Sequence, residues 1–283
     1  MSSIPPVQEL ATVLAVEPVG DYVQLTVRAP RIASRFAPGQ FVTLGVGGPH
    51  GALLLRRAFA LSGARAGGVQ FVVAEHGPGT RWLVRQPVGT QLDVVGPLGM
   101  PFPLPEQPTA VVLVGGGYGT APLLPLGRAL ADSGCQVETI IGAASSRRLF
   151  GAQQAAANGV ITITTDDGSA GVPGMVTDVL PVAIKRLDAE RIYACGPMAM
   201  LRAVAELASE YQVSAYVSVE EAMACGIGVC MTCVLPVRGD EGTSRFIRSC
   251  VDGPVFPADQ VRWDGVGSLP DDLLGVEAMR AYR

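Results

Sequence analysis

Four cysteines near the C-terminal end are spaced for metal chemistry. Cys225, Cys230 and Cys233 lie in A-C-G-I-G-V-C-M-T-C, and Cys250 follows in R-S-C. C-x4-C-x2-C with one distant thiol is the plant-type ligand pattern of a [2Fe–2S] cluster. A loop around such a cluster must aim three sulfurs inward, with no side chain between backbone and inorganic sulfide. Gly226 and Gly228 supply that room and tolerate positive φ. Loop N–H groups can then hydrogen-bond the sulfurs and tune the potential. A site of this kind moves electrons one at a time. Zinc competes for the same residues, although structural zinc more often takes two close cysteine pairs, whereas three of these thiols share one loop. A disulfide within Cys225–Cys233 fits less well. The opening M-S-S-I-P-P lacks the basic and apolar regions of a secretion signal, so a reducing, cytoplasmic setting is expected.

A second candidate is V-L-V-G-G-G-Y-G-T-A-P, where Gly115, Gly116, Gly117, Gly119 and Thr120 follow an apolar run. A glycine-rich turn between a buried strand and a helix brings N–H groups and the helix N-terminus against a pyrophosphate. Pro122 suits the first helical position. The bland reading is a tight structural turn. The acid expected about 20 residues on, for a ribose hydroxyl, is absent. Instead Ile141-Gly142-Ala143 is followed by Ser145, Ser146, Arg147 and Arg148, which suit either a 2′-phosphate or a solvated turn. NAD and NADP both stay open. Cys195-Gly196-Pro197 ends a later apolar strand, where a thiol faces either the ligand crevice or the core. Cys135 reads as a small buried hydrophobe.

Arg56 and Arg57, in L-L-L-R-R-A-F-A-L-S, close an apolar run read as a strand. Burying them is costly unless an anion meets them. Gly79 and Thr80, in H-G-P-G-T-R-W-L, enter a short helix covering Trp82 to Val84, another anion-ready geometry. The only histidines are His50 and His76, so a histidine metal site or a Ser-His-Asp triad has little material. No general acid or base stands out, and no catalytic side chain is assigned.

The elements that must hold these residues follow a simple order. Ala11–Val16, Tyr22–Arg28, Gln40–Val46, Val69–Glu75 and Gln91–Val95 are short strands punctuated by Gly and Pro, as in an antiparallel barrel. Four prolines between Pro101 and Pro108 mark a linker. Beyond it, strands at Thr109–Val114, Gln136–Gly142, Val160–Thr164 and Arg191–Ala194 alternate with helices at Leu123–Asp132 and Pro197–Tyr211, the signature of a parallel α/β sheet. After Val213–Val219 the cysteine loop opens a small module ending near Trp263, and an acidic turn and short helix close the chain. At 283 residues there is room for two domains and an appendage. A net charge of −4 with no basic run argues against nucleic acid, and no apolar stretch is long enough to span a membrane. A charged content of only 16% points to a surface partly covered by a partner.

With these residues placed, the chain resembles the ferredoxin–NADP reductase superfamily over about residues 7–262. More narrowly, it resembles the electron-transfer subunits of NAD-dependent dihydroorotate dehydrogenases. The flavin motif R-x-x-S falls on Arg57-Ala58-Phe59-Ala60, with alanine in place of serine and Ser62 nearby. The strand before G-x-G-T matches Val72-Val73-Ala74, and G-T matches Gly79-Thr80; these would bind FAD. The glycine-rich turn from Gly115 to Pro122, T-D-D-G-S-x-G from Thr165 to Gly171 with Asp167, and Cys195-Gly196-Pro197 would bind NAD(H). Glu220-Glu221-Ala222-Met223 matches the E-x-x-M that precedes the cluster cysteines.

The resemblance implies an FAD barrel (1–105), an NAD α/β domain (106–215), a [2Fe–2S] module (216–263) and a tail (264–283). It also implies a partner: an FMN-containing catalytic subunit acting on dihydroorotate in pyrimidine biosynthesis, in a heterotetramer of two plus two. Two alternatives share the motifs. One is a diaphorase subunit of another redox complex, such as an electron-bifurcating NADH-dependent ferredoxin–NADP reductase, a hydrogenase or a sulfide reductase. The other is a non-enzymatic redox sensor.

Overall fold

The computed structural model describes residues 5–48, 51–239, 242–273 and 275–277. His50, the Pro49 of the expected turn and the end of the expected C-terminal helix (278–283) lie outside the described residues. Among the described residues no helix is long and apolar enough to cross a membrane.

The first part is a closed antiparallel barrel. Its strands are β1 (Val7–Val19), β2 (Tyr22–Arg28), β3 (Phe41–Leu44), β4 (Arg57–Arg65), β5 (Gly68–Ala74) and β6 (Gln91–Leu98), in the order β1-β2-β5-β4-β3-β6. Short helices α1 (Pro30–Ala33) and α2 (Pro78–Val84) lie between strands. Alternate residues fill the interior: Ala11 and Val13, Leu25 and Val27, Phe71 and Val73, Leu92 and Val94. Closure removes the free edges.

One expectation is corrected here. The arginines do not end a strand; Arg57 begins β4, opposite Leu44, the last residue of β3. Leucines 53–55 lie outside any strand, and Leu54 is 90% exposed.

The second part is a seven-stranded sheet. In chain order come β7 (Ala110–Gly116), α3 (Leu123–Asp132), β8 (Gln136–Ala143), α4 (Ala152–Ala156), β9 (Val160–Thr165), β10 (Val172–Pro173), α5 (Val176–Leu187), β11 (Arg191–Cys195), α6 (Met198–Glu210) and β12 (Ser214–Ser218). A thiol-bearing excursion then carries the hairpin β13 (Val234–Arg238) and β14 (Ser244–Arg248), and β15 (Val255–Pro257) returns to the sheet. The order is β10-β9-β8-β7-β11-β12-β15, parallel except for β15. Alternation decides the packing. Val111 and Leu113 face α3 through Leu123, Leu126 and Leu130. Val112 and Val114 face α5 and α6 through Leu180, Ile184, Leu201 and Val204.

Strand order reverses between β7 and β11, which places a ligand crevice at their carboxyl ends. The proline-rich segment is a fixed seam: Phe102 is buried, its N–H donates to Pro38 O at 2.8 Å, and the Tyr193 hydroxyl donates to Pro103 O. The residues after β15 fold back on the hairpin. Ser244 Oγ donates to Asp272 at 2.7 Å, Arg262 pairs with the same carboxylate, and Leu273 is buried beside them.

Candidate functional site

A cleft of about 750 Å³ lies between the barrel and the carboxyl ends of β7, β8, β9, β11 and β12. The barrel wall holds Arg57, Ala58, Phe59 and Ala60 of β4, Val72 and Ala74 of β5, then His76 and Thr80. Strand alternation sends Val73 into the barrel core instead. Gly79 lies beneath the Arg57 guanidinium; a Cβ there would stand 2.7 Å from Arg57 Nε. Glycine at 79 therefore lets Arg57 lie across the start of α2. The Thr80 hydroxyl accepts the N–H groups of His76 and Gly77 at 2.9 and 3.1 Å, which holds that turn.

The two arginines have separate jobs. Arg56 is spent on the barrel: it donates to Thr43 Oγ1, Thr43 O, Asp93 O and the Asp93 carboxylate at 2.8 to 3.1 Å. Arg57 makes only local carbonyl contacts, to Leu55 O at 2.6 Å and Arg56 O at 3.3 Å, and its charge faces the cleft. Among the described residues Arg57 makes no ion pair, so an anionic group fits there. Ala60 lines the cleft where a serine would offer a hydroxyl. Ser62 does not replace it, because among the described residues its buried Oγ has no partner and it does not line the cleft.

On the opposite wall Gly116, Gly117 and Gly119 line the cleft with Cys195, Gly196 and Pro197. A Cβ on Gly119 would meet Cys195 O at 2.6 Å, and one on Gly116 would meet Pro197 Cδ at 2.9 Å. These glycines let the β7 and β11 ends close side by side, leaving backbone exposed to a ligand. Gly115 and Thr120 sit behind them, Thr120 buried and packed against Gly115. Asp167 is turned to its own loop, accepting Ser169 N–H at 2.9 Å and Ser169 Oγ–H at 2.6 Å. Its neighbour Asp166 lines the cleft. Cys135 is buried, as its surroundings in the sequence suggest.

Burial pushes the Cys195 thiol up to about 12; the Ser218 hydroxyl opposes the shift and the Glu220 carboxylate adds to it. Cys195 is therefore a neutral thiol at physiological pH.

The four cysteines of the excursion lie close enough to act on one another: Cys225 on Cys230, and Cys233 and Cys225 on Cys250. Backbone N–H groups converge on the sulfurs: Ile227 and Val229 on Cys225 at 3.4 Å, Gly228 on Cys250 at 3.2 Å, Cys250 on Cys233 at 3.4 Å. Gly226 and Gly228 have φ of 72° and 81°, the left-handed turns this wrapping needs. Among the described residues no three His, Cys, Asp or Glu groups converge on a single ion. A binuclear cluster takes two thiols per iron, which four cysteines supply. The donor set and its N–H partners fit [2Fe–2S].

The thiols and the cleft share one layer of side chains. Cys233 and Cys250 pack in one cluster with Phe41, Leu98, Ala58 and Met223. Phe41, Ala58 and Met223 also line the cleft.

Residues 220–262 match the family described as the iron-sulfur cluster binding domain of dihydroorotate dehydrogenase B. The electron transfer subunit of dihydroorotate dehydrogenase B (NAD(+)) from Shouchella clausii (strain KSM-K16) is 38% identical over 256 residues, covering 89% of this chain and 96% of the relative. That of Bacillus caldolyticus is 38% identical over 242 residues, 84% of this chain and 91% of the relative. This chain belongs to the family of dihydroorotate dehydrogenase B electron transfer subunits. Among solved structures, an NADH-dependent reduced ferredoxin-NADP oxidoreductase studied for flavin-based electron bifurcation superposes with a TM-score of 0.81 at 30% identity, covering 90% of this chain and 91% of that one.

Several cleft residues of this family member had no individual signal in the sequence. Tyr118, inside the glycine turn, donates to Glu220 Oε1 at 2.6 Å across the cleft and stands edge-on to Tyr22 at 5.7 Å. Burial and the Glu220 carboxylate push the Tyr118 hydroxyl well above its ordinary range. Only the variable position in G-x-G and the acid of E-x-x-M mark this pair in the sequence. Tyr22 and Arg148 join through Tyr22 Oη and Arg148 O at 3.1 Å, part of a barrel-to-sheet contact that also ties Arg147 to Asp21 at 2.8 Å.

Proposed function

We propose that this chain binds FAD, NAD(H) and a [2Fe–2S] cluster and carries electrons between NAD and a separate FMN-containing dihydroorotate dehydrogenase subunit, in pyrimidine biosynthesis. The observation that carries the reading is the shared layer of Phe41, Ala58 and Met223, one side on the cleft and the other on Cys233 and Cys250. When bound, the flavin exchanges hydride with nicotinamide and single electrons with the cluster, so it joins two-electron to one-electron chemistry. The protein supplies placement. Arg57, with the α2 turn at Gly79-Thr80, would hold the flavin phosphates, and Ala58, Phe59, Ala60, Val72 and Ala74 would form the apolar wall for the ring. Gly116, Gly117, Gly119 and Cys195-Gly196-Pro197 would admit the nicotinamide nucleotide. Cys225, Cys230, Cys233 and Cys250 would hold the irons. Tyr118 and Glu220 close the wall between turn and thiol loop.

The rim around the thiols suits a partner. Ile227, Val229 and Met231 are 52%, 76% and 54% exposed on the loop that wraps the sulfurs. Apolar side chains there allow close, dry approach of a second redox subunit. The reading includes a heterotetramer of two plus two in the cytoplasm. The likeness to the bifurcating oxidoreductase supports a second reading, a diaphorase subunit of another complex. The co-purifying partner discriminates the two.

The test is reconstitution. The chain alone is expected to hold about two irons, to reduce dyes with NADH and to leave dihydroorotate untouched. With the partner it couples dihydroorotate oxidation to NAD reduction. Cys230→Ala abolishes iron binding and keeps FAD, because the flavin site belongs to the barrel. Stoichiometric zinc after anaerobic preparation, or dihydroorotate turnover by the lone chain, would overturn the reading.

A further inference from the structure

The nucleotide reading above leaves open which group reads the far end of the dinucleotide. We propose that Asp166 binds the 2′-hydroxyl of the adenosine ribose and rejects a 2′-phosphate, so that the cleft selects NADH over NADPH. The inference rests on the assignment of this cleft to a nicotinamide nucleotide.

In a doubly wound sheet the ribose is held by an acid at the end of the second strand. Here β8 ends in Gly142-Ala143, and Ala144 follows. All three line the cleft and none carries a polar side chain. The adjacent strand supplies the missing group. Asp166 follows the end of β9, and its N–H donates to Ala143 O at 3.1 Å. That bond sets Asp166 beside the position where the acid would stand. It is exposed and lines the same end of the cleft. Among the described residues its carboxylate has no hydrogen bond or ion pair. Asp167 cannot serve, since Ser169 holds it.

A second free polar group lies alongside. Thr164 lines the cleft, is 1% exposed, and its Oγ1 has no partner among the described residues. A buried unpaired hydroxyl beside an unpaired carboxylate matches a diol, which both donates and accepts.

The two arginines after β8 share one counter-charge, the Asp21 carboxylate. Arg147 Nε is 2.8 Å from Asp21 Oδ1 and does not line the cleft. Arg148 lines the cleft, but Asp21 Oδ2 stands 3.8 Å from its Nε. A phosphate placed at the ribose 2′ position would meet the Asp166 carboxylate, a repulsive element of the kind that sets specificity.

The test uses the purified chain with flavin and cluster in place, and two probes of the adenosine end alone: adenosine 5′-monophosphate and adenosine 2′,5′-bisphosphate, titrated calorimetrically. The native protein should bind the monophosphate at least about tenfold more tightly than the bisphosphate, and should show a similar preference for NADH over NADPH in KM during dye reduction. Asp166→Asn and Asp166→Ser should shrink or reverse both ratios, at unchanged iron and flavin content. Unchanged ratios in both variants, while the native protein still uses NADH, would overturn this inference and leave the function above standing. A native preference for the bisphosphate would overturn it too. Failure to use either nicotinamide nucleotide would overturn both.

Discussion

The Cβ that Gly226 lacks would stand 2.5 Å from Cγ2 of Thr43. The thiol loop is therefore pressed onto barrel strand β3, and nothing larger than glycine fits between them. Thr43 is itself held by Arg56, whose Nε donates to its Oγ1 at 3.1 Å. The cluster site is thus built partly from the barrel that lines the cleft, although the two are far apart in sequence.

Gly226→Ala should therefore damage the cluster first. The left-handed backbone costs an alanine about 1–2 kcal/mol, and the clash with Thr43 adds to it. The expected outcome is a loss of iron per chain with flavin retained, read by iron analysis and the visible spectrum. Adding Thr43→Ser removes the offending methyl and keeps the hydroxyl for Arg56. That double variant should regain part of the iron; no recovery would show that backbone strain alone decides the loss.

Arg56 and Arg57 should separate cleanly. Arg57→Ala removes a charge facing the cleft and weakens flavin binding by roughly ten- to hundredfold, seen as flavin lost on dialysis. Arg56→Ala strips partners from Thr43 and Asp93 and should lower the stability of the barrel by about 1–3 kcal/mol, seen in denaturant unfolding. Equal flavin loss at equal stability in both variants would contradict this division.

Cys195 should be unreactive despite lining the cleft. With its pKa raised to about 12, chiefly by burial, a neutral thiol persists through the physiological range. The thiolate fraction at pH 7 is on the order of a thousandfold below that of an ordinary cysteine. Peptide mass spectrometry after iodoacetamide treatment at pH 7 should find Cys195 unmodified, and NADH–dye activity should show no inflection from it between pH 6 and 9. Rapid alkylation of the native protein would refute the burial argument.

The two arginines of β14 should also behave differently. Arg248 Nη1 donates to Gly228 O at 3.0 Å and braces the thiol loop. Arg245 is exposed on β14. Arg245→Glu is expected to slow electron delivery to the partner subunit and leave NADH–dye activity intact. Arg248→Glu should lose iron. Stopped-flow rates with and without partner, alongside iron content, distinguish the two effects.

The cysteine spacing alone carried the cluster reading, because ligand geometry is encoded locally in one loop. Barrel and sheet were legible for a similar reason: period-two alternation and the shift to alternating strands and helices follow from which face of each element is buried. β4 was misplaced because strand limits depend on a partner, and only the pairing of Leu44 with Arg57 shows where β3 and β4 stop.

Composition and spacing by themselves determined the class of chemistry: four thiols for electron transfer, a glycine-rich turn for a phosphate, a barrel followed by a parallel sheet. Tertiary structure decided which of two neighbouring residues faces the cleft. It set Arg57 rather than Arg56, and Asp166 rather than Asp167, into the cleft, and it joined Tyr118 to Glu220 across 102 residues. It also placed Cys233 and Cys250 one side chain from the cleft wall. The physical reason is that residue type and spacing follow from local covalent geometry. The direction a side chain faces, and whether a charge is already paired, depend on contacts between strands distant in the chain.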